Sequence, residues 1–176
     1  MSFCQYSGLP TDAASIVFVD AHVRNRHEFI NVIQPHVAAY TLPHDVDGVD
    51  YITHTLEHYP CRGEAIAQIH LIAHGFPGGM YLGNGQLSLT TIERYLSSLR
   101  EWFLDFRHQN ALHSCISSLT HPFISSQPLL SQIHLYGSHV TTGDAGVEFL
   151  DKLHRYTGAD VQAATTLMGH LALLPE

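Results

Sequence analysis

Basic residues are scarce. Lys and Arg together number 8, against 16 Asp and Glu, and the formal net charge is −8. A nucleic-acid backbone would be repelled, and no Lys/Arg cluster offsets that, so nucleic acid is not expected as a partner. Cysteine is scarcer still. Cys4, Cys61 and Cys115 are odd in number, widely spaced and free of any C-x-x-C pair, which argues against a disulfide framework. No apolar run reaches the roughly 18 residues needed to cross a bilayer. The stretch Met1 to Pro10 lacks the basic-then-apolar layout of a signal peptide, and a cytoplasmic location is expected. Charged residues are only 14% of the chain, whereas hydrophobic residues reach 45%, enough to fill a core and to exclude wholesale disorder.

Histidine is the residue in excess, at 15 of 176. Protonating all of them would reverse the sign of the net charge, so the electrostatics must change across mildly acidic pH. His54 and His58 are four apart on an expected helix and share a face, with Cys61 just beyond. No fourth ligand is evident, and neither a metal nor another cofactor is expected.

The length suits one domain, with a polar lead over residues 1–14 and a domain over 15–176. Short apolar, β-branched runs predict strands at 15–20, 37–42, 65–73, 132–136 and 160–165. Helical spacing predicts helices over 25–33, from Val49 through Leu56, over 90–103, and over 144–156 with Val147, Leu150 and Leu153 inward and Gly158 as C-cap. A small hairpin is expected around Asn84-Gly85. Residues 104–131, rich in Ser and His with two prolines, read as an inserted excursion. Strands alternating with helices predict an α/β fold: a three-layer sandwich, its central sheet mostly parallel, with helices on both faces.

In such sheets, sites sit past the carboxyl ends of the strands. There the chain places His74, after the third strand, and Ser138, after the fourth. If the two strands are neighbours, base and nucleophile face one crevice. Gly75 follows the histidine and Gly137 precedes the serine, allowing main-chain N–H groups close to a substrate. Asp20, ending the first strand, either orients His74, binds a basic substrate side chain, or caps a turn. Asp144 reads as a helix cap or first-turn acid. Thr165 and Thr166, ending the last strand, either line a substrate pocket or merely fill a strand.

The segments Ile16-Val-Phe-Val-Asp20, Ile69-His-Leu-Ile-Ala-His-Gly75, Tyr81-Leu-Gly83, Leu135-Tyr-Gly-Ser138, Thr142-Gly-Asp-Ala-Gly146 and Thr157-Gly-Ala-Asp-Val161 resemble, in order and spacing, an uncharacterised bacterial domain family. The resemblance covers roughly residues 15–170. That family is found mainly at the N-termini of large repeat-containing surface proteins of cyanobacteria and proteobacteria. It is similar to the caspase-like cysteine peptidases, gingipains among them, which share a His–Cys dyad on a parallel sheet. The resemblance implies a caspase-like fold, His74 as the dyad histidine, and the N–H groups of Gly75 and Ser138 as oxyanion donors. It puts Ser138 where the family has its cysteine, and His139 where the family usually has a small amide.

A serine hydroxyl does not ionise as a thiol does, and needs a base and an orienting group. Three explanations stand for Ser138: a nucleophile silenced by engineering, a natural pseudo-peptidase, or a serine hydrolase with an acid such as Asp20 behind His74. The expected function is a peptidase-type domain that is inactive or silenced as it stands. The alternative is a non-catalytic module that binds a peptide or protein.

Overall fold

The run Ile16-Val-Phe-Val19 sends alternate side chains into two apolar clusters, as a strand buried on both faces must. All four residues are fully buried. They belong to β1 (Ala14–Asp20), which lies second in a five-stranded sheet. The computed structural model describes residues 14–24, 26, 27, 30, 37–59, 66–103 and 131–164.

The other members of the sheet are β2 (Ala38–Leu42), β3 (Ile66–Ile72), β7 (Gln132–Tyr136) and β8 (Asp160–Ala164). Their order is β2-β1-β3-β7-β8 and every pairing is parallel. The chain runs outward from β1 to β2, then returns to lay β3 on the other side of β1. That reversal makes the carboxyl ends of β1 and β3 the topological switch point, where loops diverge and leave a crevice.

One face of the sheet packs against α1 (Gly48–Glu57), α2 (Leu96–Glu101) and α3 (Gly143–Thr157). Ile16, Phe18, Ile69, Leu71, Ile133 and Leu135 meet Val49 and Ile52 of α1, Leu99 of α2, and Phe149 and Leu153 of α3 in one core. The opposite face carries Val17, Val19, Ile72 and Tyr136, covered by Val23, Val37 and the helical residue Ile30. The result is a three-layer α/β sandwich. A second, antiparallel sheet of β4 (Gly75–Phe76), β5 (Gly79–Leu82) and β6 (Gly85–Ser88) follows β3, and its Met80, Leu82 and Leu87 join the larger core.

Two local expectations are corrected. The segment 90–103 is not one helix. A 3-10 turn over Ile92–Tyr95 precedes α2, so Ile92 and Leu99 still face the core. On α3 the inward residues are Gly146, Phe149, Leu153 and Thr157, whereas Val147 is 67% exposed. Gly146 lies on Thr141 so closely that a Cβ would collide with the Thr141 main chain, and this sets the helix rotation. Gly158 is the C-cap, at φ 69°, as its position predicts.

Asp47 starts α1: its Oδ1 accepts the N–H of Val49 at 3.0 Å, and its Oδ2 accepts the Tyr95 hydroxyl at 2.6 Å. The same carboxylate thus ties α1 to the 3-10 turn. Among the described residues, no helix is long and apolar enough to cross a membrane. Residues 1–13, 60–65, 104–130 and 165–176 lie outside the described residues, and with them Thr165, the three cysteines and nearly all of the expected excursion.

Candidate active site

β3 and β7 are direct neighbours, paired from Gln68–Gln132 to Ile72–Tyr136. The two loops that leave their carboxyl ends therefore run side by side, one carrying His74 and the other Ser138. Both residues are exposed. Their flanking glycines touch: a Cβ on Gly137 would lie 3.2 Å from the Gly75 Cα and 3.0 Å from the Ala73 carbonyl. A Cβ on Gly75 would collide with the Ser138 carbonyl oxygen and with Val140. Glycine is needed at these positions because two main chains meet there.

The Gly75 N–H has a defined direction. The N–H of Tyr81 donates to the His74 carbonyl at 2.9 Å, making His74 and Tyr81 a hydrogen-bonded cross-strand pair. The next pair along, Gly75 with Met80, is then of the non-bonded kind, and the Gly75 N–H points away from β5. Among the described residues, no hydrogen bond uses the N–H of Ser138. Among the described residues, both groups lack a main-chain partner.

His74 has a partner that the sequence does not reveal. Its Nε2 lies 3.2 Å from the main-chain carbonyl of His22, in the loop after β1. A carbonyl only accepts, so Nε2 carries the proton and Nδ1 keeps the free lone pair in the neutral ring. No hydrogen bond joins His74 to Ser138.

Asp20 is buried, 1% exposed, and its acceptor capacity is turned elsewhere. Oδ1 accepts the His22 N–H at 2.8 Å and the His22 Nδ1–H at 2.9 Å, and Oδ2 accepts the Gly83 N–H at 2.6 Å. Asp20 therefore caps the turn after β1 and pins the β5–β6 turn to it, the capping alternative of the three weighed for it. It makes no hydrogen bond to His74, and is linked to that ring through His22, whose carbonyl holds it.

His139, next to Ser138, is exposed and sits at φ 65°, a left-handed conformation that costs a non-glycine residue roughly 1–2 kcal/mol. Its carbonyl accepts the Thr142 N–H at 3.0 Å, closing the turn that leads into α3. Asp144 is exposed in the first turn of α3, where it faces the positive end of the helix dipole. Neither side chain is hydrogen-bonded to His74.

A family model matches residues 16–174. The chain belongs to the family described as "Domain of unknown function (DUF4347)". No curated protein and no solved structure matches the chain. The DUF4347 match spans β1 through β8 and so takes in both crevice loops.

The His22 carbonyl is what sequence reasoning missed at this site, because a main-chain acceptor leaves no mark in side-chain identity. The available signal was topological: β1 lies beside β3, so the loop after β1 must pass close to the loop after β3.

Proposed function

We propose that the chain is a caspase-like, peptidase-type domain whose crevice receives an extended peptide and, with Ser138 in the nucleophile position, does not cleave it. The observation that carries this reading is the contact between the two loops. Gly75 lies against the Ser138 carbonyl, so the imidazole of His74 and the side chain at 138 emerge from one main-chain junction. The order β2-β1-β3-β7-β8 puts that junction at the carboxyl edge of a parallel sheet, where such sites form.

Three further features support it. Among the described residues, the N–H groups of Gly75 and Ser138 have no main-chain partner, as oxyanion donors require. The His22 carbonyl fixes the His74 ring with Nδ1 as the base. The rings of Phe76 and Tyr81 lie with centroids 4.8 Å apart and planes tilted at 50°, and strand alternation puts both on the His74 side of the small sheet, a wall for a substrate side chain.

Silence follows from the nucleophile. A serine hydroxyl must lose its proton to His74, and the imidazolium so formed would be steadied only by a neutral carbonyl. The nearby carboxylate, Asp20, is spent on His22 and Gly83. A thiol at 138 would ionise far more readily beside the same base.

The test is labelling by a panel of peptidyl chloromethyl ketones, read by intact mass, on the unaltered chain and on Ser138→Cys. Labelling of Ser138→Cys at position 138 that is lost in the Ser138→Cys/His74→Ala double variant is the expected result. Failure of every reagent to label folded Ser138→Cys would remove the peptidase-type reading and leave at most a binding module.

A further inference from the structure

The last turn of α1 carries a cluster that the crevice does not use. His54, Glu57 and His58 are all exposed, and each offers one ligand atom within 4.8 Å of the others. Positions i, i+3 and i+4 share one face of a helix, so all three project from the same patch. The imidazole rings of His54 and His58 lie 4.1 Å apart between centroids, with nothing between them.

Two details go beyond proximity. The Nδ1–H of His58 donates to the His54 carbonyl at 2.8 Å. That bond fixes the ring and its tautomer, and turns Nε2, with its lone pair, outward. It is the same main-chain support that orients metal-ligating histidines generally. In addition, the cluster sits at the carboxyl end of a ten-residue helix, where unpaired carbonyls give a negative field that favours a cation.

We propose that His54, Glu57 and His58 form a binding site for a zinc ion on the last turn of α1. Two imidazoles and one carboxylate suit this borderline cation, whereas Mg²⁺ and Ca²⁺ take oxygen ligands. Tetrahedral zinc needs ligand atoms roughly 3.3 Å apart. Small rotations of three exposed side chains close the remaining gap. Three protein ligands leave a coordination position for water. α1 joins the carboxyl end of β2 to the amino end of β3, so the site lies at the opposite edge of the sheet from His74. It is independent of the peptidase-type reading.

The experiment is calorimetric titration of the EDTA-treated full chain with zinc chloride, together with histidine ¹⁵N spectra of the same protein. The expected result is one equivalent bound, with affinity falling ~10-fold or more in His54→Ala and in His58→Ala, and falling also in Glu57→Gln, which keeps both imidazoles. In the spectra, His58 Nε2 shifts on zinc addition while Nδ1 stays protonated. No zinc uptake overturns the proposal. So does an isotherm in the variants equal to that of the unaltered chain, or a His58 Nε2 resonance that zinc leaves unmoved; the last readout needs no variant.

Discussion

The imidazole of His74 meets the main-chain carbonyl of His22 at 3.2 Å, through Nε2. One loop thereby sets the tautomer of a base presented by another, and the orienting group carries no charge. A carboxylate in that place would stabilise an imidazolium and so help a serine. A carbonyl orients the ring without that help, which suits a partner that ionises by itself.

Asp20 holds the loop that supplies the carbonyl. Asp20→Ala leaves the Gly83 N–H buried without its acceptor and frees both His22 donors. Losing these charge-assisted bonds should lower the unfolding free energy by ~3 kcal/mol in urea denaturation. Asp20→Asn, which keeps the shape and one acceptor, should lose less. An alanine variant within ~0.5 kcal/mol of the unaltered chain would mean the carboxylate does not organise the turn.

Gly75→Ala tests the contact between the two loops. Its methyl group would meet the Ser138 carbonyl and Val140 at once, and the first of these is main chain that cannot swing aside. A loss of ~2 kcal/mol is expected from urea titration, in the range for overpacking. An unchanged midpoint would mean that the loops are further apart than described.

The second face of the sheet holds a pH-sensitive residue. His70 is 1% exposed, stacks on His134 at 4.6 Å, and has Nδ1 3.2 Å from the Tyr136 hydroxyl, while Nε2 has no hydrogen-bond partner among the described residues. Burial, and second the neighbouring His134, push its imidazole down to about 3 from the usual 6.5. The unfolded chain therefore takes up this proton at higher pH than the folded chain does. The stability it confers is fully present above about pH 6.5 and is lost as pH falls from there towards about 3, by at most ~1.4 kcal/mol per pH unit. Urea unfolding between about pH 7 and about pH 5 should show a shallower slope in His70→Leu than in the unaltered chain. Equal slopes would show that His70 is not kept neutral by the fold.

The sheet was legible because each strand is short, apolar and punctuated: Pro43 closes β2, and the Gly-rich loop from Gly75 closes β3. Strand order was not written in any single segment. The rule that consecutive strands pack together correctly made β3 and β7 neighbours, but it fails for β2 and β3, which β1 separates. On α3, Leu150 and Leu153 pack inward as expected, but hydrophobicity misplaced Val147, which is exposed while the adjacent Gly146 lies against Thr141. That the loops carrying His74 and Ser138 lie side by side could be read from their positions after two neighbouring strands. Asp20 could not, because an acid at a strand end looks the same whether it orients a catalytic base or caps a turn. His54 and His58 were visible as a pair, but Glu57 and the ring-orienting carbonyl of His54 needed the helix to be seen.

The proposed function requires His74 to act on a nucleophile at position 138. The measurement that tests it most directly is the pH dependence of iodoacetamide alkylation of Ser138→Cys, with and without His74→Ala, followed by peptide mass so that Cys4, Cys61 and Cys115 are counted separately. The apparent thiol pKa at position 138 is expected clearly below the ordinary value of about 8.5, returning towards it when His74 is removed. A thiol that titrates at the ordinary value in both backgrounds would show that His74 does not address position 138, and would contradict the account.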